Sequence, residues 1–464
     1  MRDTLLGRTT LDIDIAVTAD APEVARRVAD GLAGRYIILD EIFGVARVIV
    51  TGASAAGGQW QLDFSSCEGD IEQDLARRDF TINAMAIDMG ELVTDYRGAR
   101  LIDPFNGCED LDRGVVRSVR AEVFEEDAVR LLRAVRLAAE LDFHIDRDTE
   151  TQIRRHAHLI TDIAGERVRE ELLRLLVVSG SGRFVKYLNE LDLLTIVFPE
   201  MAVAKGIEQP GEHFWDVFNH SLETAVAVDF LLRQGDWEHA DGELLAAVPW
   251  SAGLAEYFER RVSSSSTGEA LLRLAALLHD VAKPQTKTVE PDGRMRFLGH
   301  AREGALLVAD IMERLRFSTK ETRLVEAMVQ YHLRPMQMSQ EGLPTNRAVY
   351  RYFRDTGEVG IDTLFLNLAD HLATRGRHLD RAGWLEHTRI VDYLLKQYYE
   401  QQSQVRPVKL INGHDLMNIF GLSPGPLLGE LLEAVREAQA AGEVTTREEA
   451  LEYARKHLTA REGT

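Results

Sequence analysis

The apolar pattern of this chain changes character near residue 122. Before that point, residues 11–17, 36–40, 46–51, 59–64 and 84–88 are short β-branched or alternating runs, separated by turns at Gly44, Gly52 and Gly57-Gly58 and joined by one helical run at 21–32. Beyond it, apolar residues recur at helical spacing in 127–142, 149–157, 166–177, 182–189, 219–233, 269–282, 301–315, 319–333, 362–374 and 383–398. Strands followed by helices predict an α+β chain, with a small mixed sheet leading into an all-α remainder. At 464 residues and 45% hydrophobic content there is chain enough for several packed cores. The chain is expected to comprise a head at 1–112, a helical neck at 113–180, a helical body at 181–400 and a tail at 405–464. Ser263 to Ser266, the one low-complexity run, reads as an insertion or mobile loop, and Gln401-Gln402-Ser403-Gln404 before Pro407 reads as a linker.

Within the first strand, LDIDIAV places Asp12 and Asp14 at i and i+2, so both carboxylates share one face while the apolar residues fill the other. Two carboxylates that close suit a divalent cation such as Mg²⁺, which takes one or two protein carboxylates plus substrate phosphates; two such ions can clamp an in-line phosphoryl displacement. Some sixty residues later, Arg77-Arg78-Asp79-Phe80-Thr81-Ile82-Asn83-Ala84 gathers two cations, a carboxylate, a hydroxyl and an amide. That mixture suits a site better than a core strand, with the arginines for a triphosphate and Asp79 and Asn83 for sugar hydroxyls or metal-bound water.

Taken in order, MRDTLLGR (1–8), DID (12–14), DLARRDFTINAMA (74–86), DPFNGCEDL (103–111) and EEDAVRLLRAVR (125–136) resemble the class II tRNA nucleotidyltransferase and poly(A) polymerase family. The resemblance implies a nucleotidyltransferase head and a neck that reads the nucleobase and binds RNA. It covers nearly the full chain and is most specific in residues 1–140. Family members carry a strand and a Gly-Gly turn ahead of V-R-D; here Met1 stands at the Val position, which reads as a start assigned too late or as a truncated form. Arg2 then falls at the family's first arginine, among the nucleotide-binding positions. A third acid normally completes a two-metal site, and Asp63 in the strand-like WQLDF is the candidate, ahead of Asp70 and Asp74, which lie in a loop entering a helix.

On a helix at about 100° per residue, Asp127, Arg130 and Arg133 share one sector opposite Leu131, Leu132 and Val135. A carboxylate beside a guanidinium can accept from an exocyclic amine and donate to a ring nitrogen or carbonyl. The resemblance assigns Asp127 and Arg130 to the family's protein template for incoming CTP or ATP. In the tail, Pro424-Gly425-Pro426 ahead of a helix reads either as a helix N-terminus offered to a phosphate or as a tight turn.

A second constellation lies in the body. His279-Asp280 ends the apolar ALLRLAALLHDVAK segment, with His220 upstream and His300, His332 and Asp370 downstream. Imidazoles and carboxylates on separate helices suit a transition metal or Mg²⁺ that activates water on a phosphoester. The order H…HD…H…H…D resembles the HD metal-dependent phosphohydrolase domain.

Only Cys67 and Cys108 occur, which argues for a reducing cytoplasm without a disulfide framework. No long apolar run calls for a membrane. The net charge of −21 opposes indiscriminate binding of nucleic acid, yet arginines cluster between Arg113 and Arg183 while acids concentrate around 236–260 and 425–450. About half of those arginines fit helix-surface ion pairs such as Glu126–Arg130, leaving the others for a tRNA backbone. The expected activity is template-independent addition of CMP and AMP, from CTP and ATP, to the 3′ end of tRNA, with Mg²⁺ in the head. Poly(A) synthesis or addition of CC or A alone is the variant on the same chemistry. A phosphohydrolase with a disabled head, or a silent RNA-binding protein, is the reading from another class. The sequence assigns no oligomeric state.

Overall fold

The computed structural model of the chain describes residues 1–41, 44–51, 58–67, 69–95, 98–338, 342–400 and 408–462. The turns expected at Gly52 and Gly57 and the linker expected at 401–407 lie outside the described residues. The chain divides into two compact units, one of residues 1–163 with 191–193 and one of residues 164–190 with 194–464.

The first unit is built on a four-stranded sheet of β1 (Asp12–Val17), β2 (Arg35–Asp40), β3 (Val45–Thr51) and β4 (Gln59–Ser66), in the order β1-β4-β3-β2. β1 runs parallel to β4; the other two pairings are antiparallel. The Ala21–Leu32 helix starts at Asp20, whose side chain accepts from Glu23 N at 2.8 Å, with Pro22 in the first turn. Its small residues Ala21, Ala25 and Ala29 lie against Ala46, Val48, Val50 and Phe64 in one buried cluster. Strand alternation then leaves Asp12, Asp14, Asp63 and Arg47 on the face away from that helix.

Two expectations for this unit need correction. The strand expected at 84–88 does not join the sheet: Thr81–Asn83 is a single 3-10 turn, and only Ala86–Ile87 is extended, paired with Leu101–Ile102. Phe80, Ile82, Ala84 and Met85 are all buried, so these apolar residues serve core packing without a strand. Gly107 of the DPFNG turn presses on this segment so closely that an added Cβ would stand 2.2 Å from Thr81 O, and Asp103 accepts from Gly107 N and Cys108 N at 2.7 and 2.9 Å. The single helix expected over 125–136 is broken: Val123–Glu126 ends at Asp127, which is extended at φ −150° and ψ 96°, and a new helix runs Val129–Leu141. Asp127 Oδ1 accepts from Val129 N at 3.3 Å, a local bond that competes with helical continuation.

The second unit is almost wholly helical, apart from a short hairpin of Lys287–Val289 with Met295–Phe297. The Val217–Leu231, Gly268–Leu278 and Gly360–Arg375 helices are buried around nearly their full circumference, consistent with apolar runs lacking a polar face. The tail has its own core, including Leu416, Leu431, Val435 and Ala454. Ser263 to Ser266 is not a loose loop. Ser263 and Ser266 donate to buried Glu321 Oε1 at 2.8 and 2.6 Å, and Ser318 Oγ and N donate to its Oε2 at 2.7 and 2.8 Å. A carboxylate removed from water must be satisfied by donors, and these serines are the donors.

Candidate active site and metal centre

Asp12 and Asp14 are exposed on the open face of the sheet, as their spacing predicts, while Ile15 and Val17 pack toward the helix. Among the described residues neither carboxylate has a hydrogen-bond partner. Two acceptor-only groups side by side and unengaged are a donor set that fits a divalent cation completed by phosphate oxygens and water. Asp63 stands beside Asp14 in the strand register, where the sequence placed it. Its two oxygens are both taken by Arg47 of β3, Nε at 2.6 Å and the terminal nitrogen at 2.7 Å. Both oxygens of Asp63 are thus engaged by Arg47, unlike those of Asp12 and Asp14. The Asp63 hydrogen bonds hold the Arg47 pKa above its ordinary value against burial, and the charges of Asp12 and Asp14 add to the effect.

The second motif forms a connected group. Buried Asp79 accepts from Phe80 N at 2.8 Å, from Asn83 Nδ2 at 3.0 Å and from Arg133 at 3.2 Å. Asn83 Oδ1 in turn accepts from Arg2 at 2.9 Å. In this structure Asp79 and Asn83 thus serve to hold Arg2 and Arg133 together, two cations from opposite ends of the unit's sequence. Arg77 is exposed, and its backbone carbonyl accepts from Arg130 at 3.0 Å; the preceding carbonyl, of Ala76, accepts from Arg120 Nε at 2.8 Å. Arg78 pairs with Asp74 at 3.1 Å. Burial lowers the pKa of the Met1 amine, while the charges of Asp14 and Asp3 raise it and those of Arg2 and Arg78 add to the lowering.

Sequence reasoning missed Arg47, which a cross-strand register would have exposed. Within the arginine cluster, Arg120 pairs with Glu126 and the Ala76 carbonyl. Arg117 likewise is held by Asp110 and Asp146, and Arg154 by Glu150. The expected Glu126–Arg130 pair is present at 3.7 Å.

In the second unit, the six candidate ligands converge from five elements. His220 Nε2 lies 3.2 Å from His279 Nε2, 3.4 Å from Asp280 and 3.1 Å from Asp370. His279 Nε2 is 3.1 Å from Asp280 Oδ2, while His300 and His332 present Nε2 to Asp280 Oδ1 at 3.4 and 3.8 Å. All six side chains are buried. His279, His300 and His332 each turn Nδ1 to a backbone carbonyl three residues back, at 2.8, 2.6 and 2.7 Å. A carbonyl can only accept, so Nδ1 carries the proton and the Nε2 lone pair points inward, the tautomer a metal requires. Nε2 of His300 and of His332 has no hydrogen-bond partner. Orphaned inward lone pairs beside two carboxylates fit a metal cation.

The electrostatics agree with that fit. Burial would lower the pKa of His279, but Asp280 and Asp370 override it and push it up to about 10. Burial would raise Asp280, yet the cations of His279 and Lys283 hold it well below the carboxylate range; Lys283 Nζ is 2.6 Å away. Burial and the neighbouring His279 charge push His332 down to about 3. A proton on His279 thus stands where the carboxylates call for a positive charge. Among the described residues no helix is long and apolar enough to cross a membrane.

Four family models match the chain. Residues 1–117 match the Poly A polymerase head domain, 142–205 the "Probable RNA and SrmB- binding site of polymerase A", 217–375 the HD domain and 380–454 the tRNA nucleotidyltransferase domain 2. An A-adding tRNA nucleotidyltransferase of Deinococcus radiodurans is 34% identical over 456 residues, 97% of this chain and 92% of that protein. A CC-adding tRNA nucleotidyltransferase of Thermus thermophilus is also 34% identical, over 97% of this chain and 90% of its own length. Among solved structures, a CCA-adding enzyme with CTP shares the fold at a TM-score of 0.61 and 22% identity, covering 98% of this chain and 89% of that one.

Proposed function

This chain belongs to the tRNA nucleotidyltransferase and poly(A) polymerase family, and we propose from that membership that its head transfers CMP or AMP from CTP or ATP to the 3′ end of tRNA. It is a nucleotidyltransferase with an HD domain, and divalent metal dependence follows from both. The observation that carries the reading is the Asp12–Asp14 pair, two open carboxylates on one sheet face. Mg²⁺ is the cation we assign to them; when bound it neutralises charge on the attacking and leaving oxygens as the RNA 3′-hydroxyl displaces pyrophosphate at the α-phosphate. Asp12 and Asp14 hold and orient that cation. Arg2, Arg77, Arg78 and Arg133 bind the triphosphate, with Asp79 and Asn83 fixing two of these arginines in place. Asp127 and Arg130 read the Watson–Crick edge of the incoming base. The head of residues 1–112 acts with the 113–180 neck on tRNA, and the two free cysteines support a cytoplasmic setting. Labelled CTP and ATP supplied with tRNAs ending before, within and after CCA test the proposal: extension of at least one class supports it and separates CC, A, CCA and poly(A) addition, whereas no extension of any class overturns it.

The buried His/Asp cluster favours a second activity, water-dependent cleavage of a phosphoester at a transition-metal or Mg²⁺ centre held by His220, His279, Asp280, His300, His332 and Asp370. Release of product from 2′,3′-cyclic nucleotides across a metal series tests it; no turnover with any metal assigns the cluster a structural role.

A further inference from the structure

Two charges on the open sheet face, Asp63 and Arg47, have no part in the chemistry just described. Parallel pairing sets Asp14 of β1 beside Asp63 of β4, and antiparallel pairing sets Asp63 beside Arg47 of β3. Register partners share a face and stand roughly 5 Å apart at Cβ, so Asp14, Asp63 and Arg47 form one transverse line. Arg47 closes on Asp63 as a fork, one nitrogen to each oxygen, at 2.6 and 2.7 Å. This bidentate geometry is the strongest a guanidinium offers, and it occupies the oxygens through which a carboxylate reaches a cation.

Without Arg47 the face would present three adjacent carboxylates. A third protein ligand would hold a small divalent cation more tightly and leave fewer positions for the triphosphate oxygens that must also ligate it. Resting on the reading that Asp12 and Asp14 hold the cation, we propose that Arg47 is a positioning residue for nucleotide transfer: by clamping Asp63 it keeps the carboxylates open to metal at two. Asp63 is then an anchor for Arg47, and the cation shares its coordination between Asp12, Asp14 and substrate.

The test is Mn²⁺ binding to the full chain, read from loss of the free-ion electron paramagnetic resonance signal, with and without a non-transferable CTP analogue. Binding is read in a His279→Ala/Asp280→Ala background, which sets aside the buried cluster of the second unit. Asp12→Asn is expected to weaken that binding by about tenfold or more, Asp63→Asn to leave it within about twofold, and Arg47→Gln to tighten it by roughly threefold to tenfold while lowering kcat. Arg47→Gln combined with Asp63→Asn should return it to the wild-type value. Tightening is a gain that a loosened fold does not produce. If Asp63→Asn weakens binding as Asp12→Asn does, Asp63 is a ligand and the proposal is overturned; Arg47→Gln with unchanged affinity overturns it equally. Unchanged binding in Asp12→Asn instead overturns the metal reading underneath. Should Arg47→Gln fail to fold, the near-isosteric Asp63→Asn still decides.

Discussion

Arg133 donates to buried Asp79 at 3.2 Å, and that contact joins the helix carrying Arg130 to the arginine-rich turn of the head. Arg133→Ala leaves the Asp79 carboxylate without its cation. The expected result is a loss of kcat/KM by about tenfold to a hundredfold, corresponding to roughly 1–3 kcal/mol, expressed mainly in KM for nucleotide. Steady-state kinetics with CTP and ATP check it, and an unchanged KM contradicts the assigned role.

Asp127 stands between two helices with its backbone extended, and its side chain belongs to the neck, apart from the strand that carries Asp12 and Asp14. Asp127→Ala should lower discrimination of CTP and ATP against UTP and GTP by about 1–3 kcal/mol while leaving metal dependence unchanged. The check is kcat/KM for all four nucleotides on one acceptor tRNA. Equal proportional losses for every nucleotide remove the template assignment.

Removing ligands from the buried cluster should separate the two units' activities. His279→Ala with Asp280→Ala is expected to abolish metal retained by the second unit and any phosphoesterase turnover, with nucleotide addition within about threefold of wild type. Elemental analysis of purified protein reads the metal, release of product from 2′,3′-cyclic nucleotides the turnover, and labelled-nucleotide incorporation into tRNA the addition. Metal content equal to wild type in the double variant would place the ion elsewhere.

Glu321 gathers Ser263, Ser266 and Ser318 around one carboxylate. Burial alone would raise its pKa, but the hydrogen bonds from Ser266, Ser318 and Ser263 hold it below the ordinary 4.5. A carboxylate depressed in the fold stabilises above its unfolded pKa and loses that contribution as pH falls through the folded one. Glu321→Ala should cost about 2–4 kcal/mol near neutral pH, since it leaves four donor groups from three serines without their acceptor. The gap between wild type and Glu321→Gln should narrow as pH drops below 4.5. Urea unfolding at several pH values reads it, and a gap independent of pH contradicts the hydrogen-bond account.

How much of this was legible in the chain depended on the distance over which each feature is encoded. The face shared by Asp12 and Asp14 follows from strand periodicity alone, and the six buried ligands were legible as an ordered set of residue types. Arg47 was not, because its partner is fixed by the register of β3 on β4, which no local pattern states. The serine run looked mobile because serines suggest a loop, while the acid that orders Ser266 lies 55 positions away. Periodicity also carried a helix straight through Asp127, where one side-chain hydrogen bond interrupts it. Fold class thus survives local misreadings, since apolar burial is set by many residues and each site contact by two.

The central claim is that Asp12 and Asp14 carry nucleotide transfer, and single-turnover incorporation of CMP and AMP into tRNA by Asp12→Asn and Asp14→Asn tests it most directly. Loss of a group that fixes charge on the reacting oxygens is expected to slow the chemical step by roughly a thousandfold or more, or about 4 kcal/mol, with thermal stability little changed because both side chains are exposed. Incorporation by either variant at near wild-type rates would contradict the account.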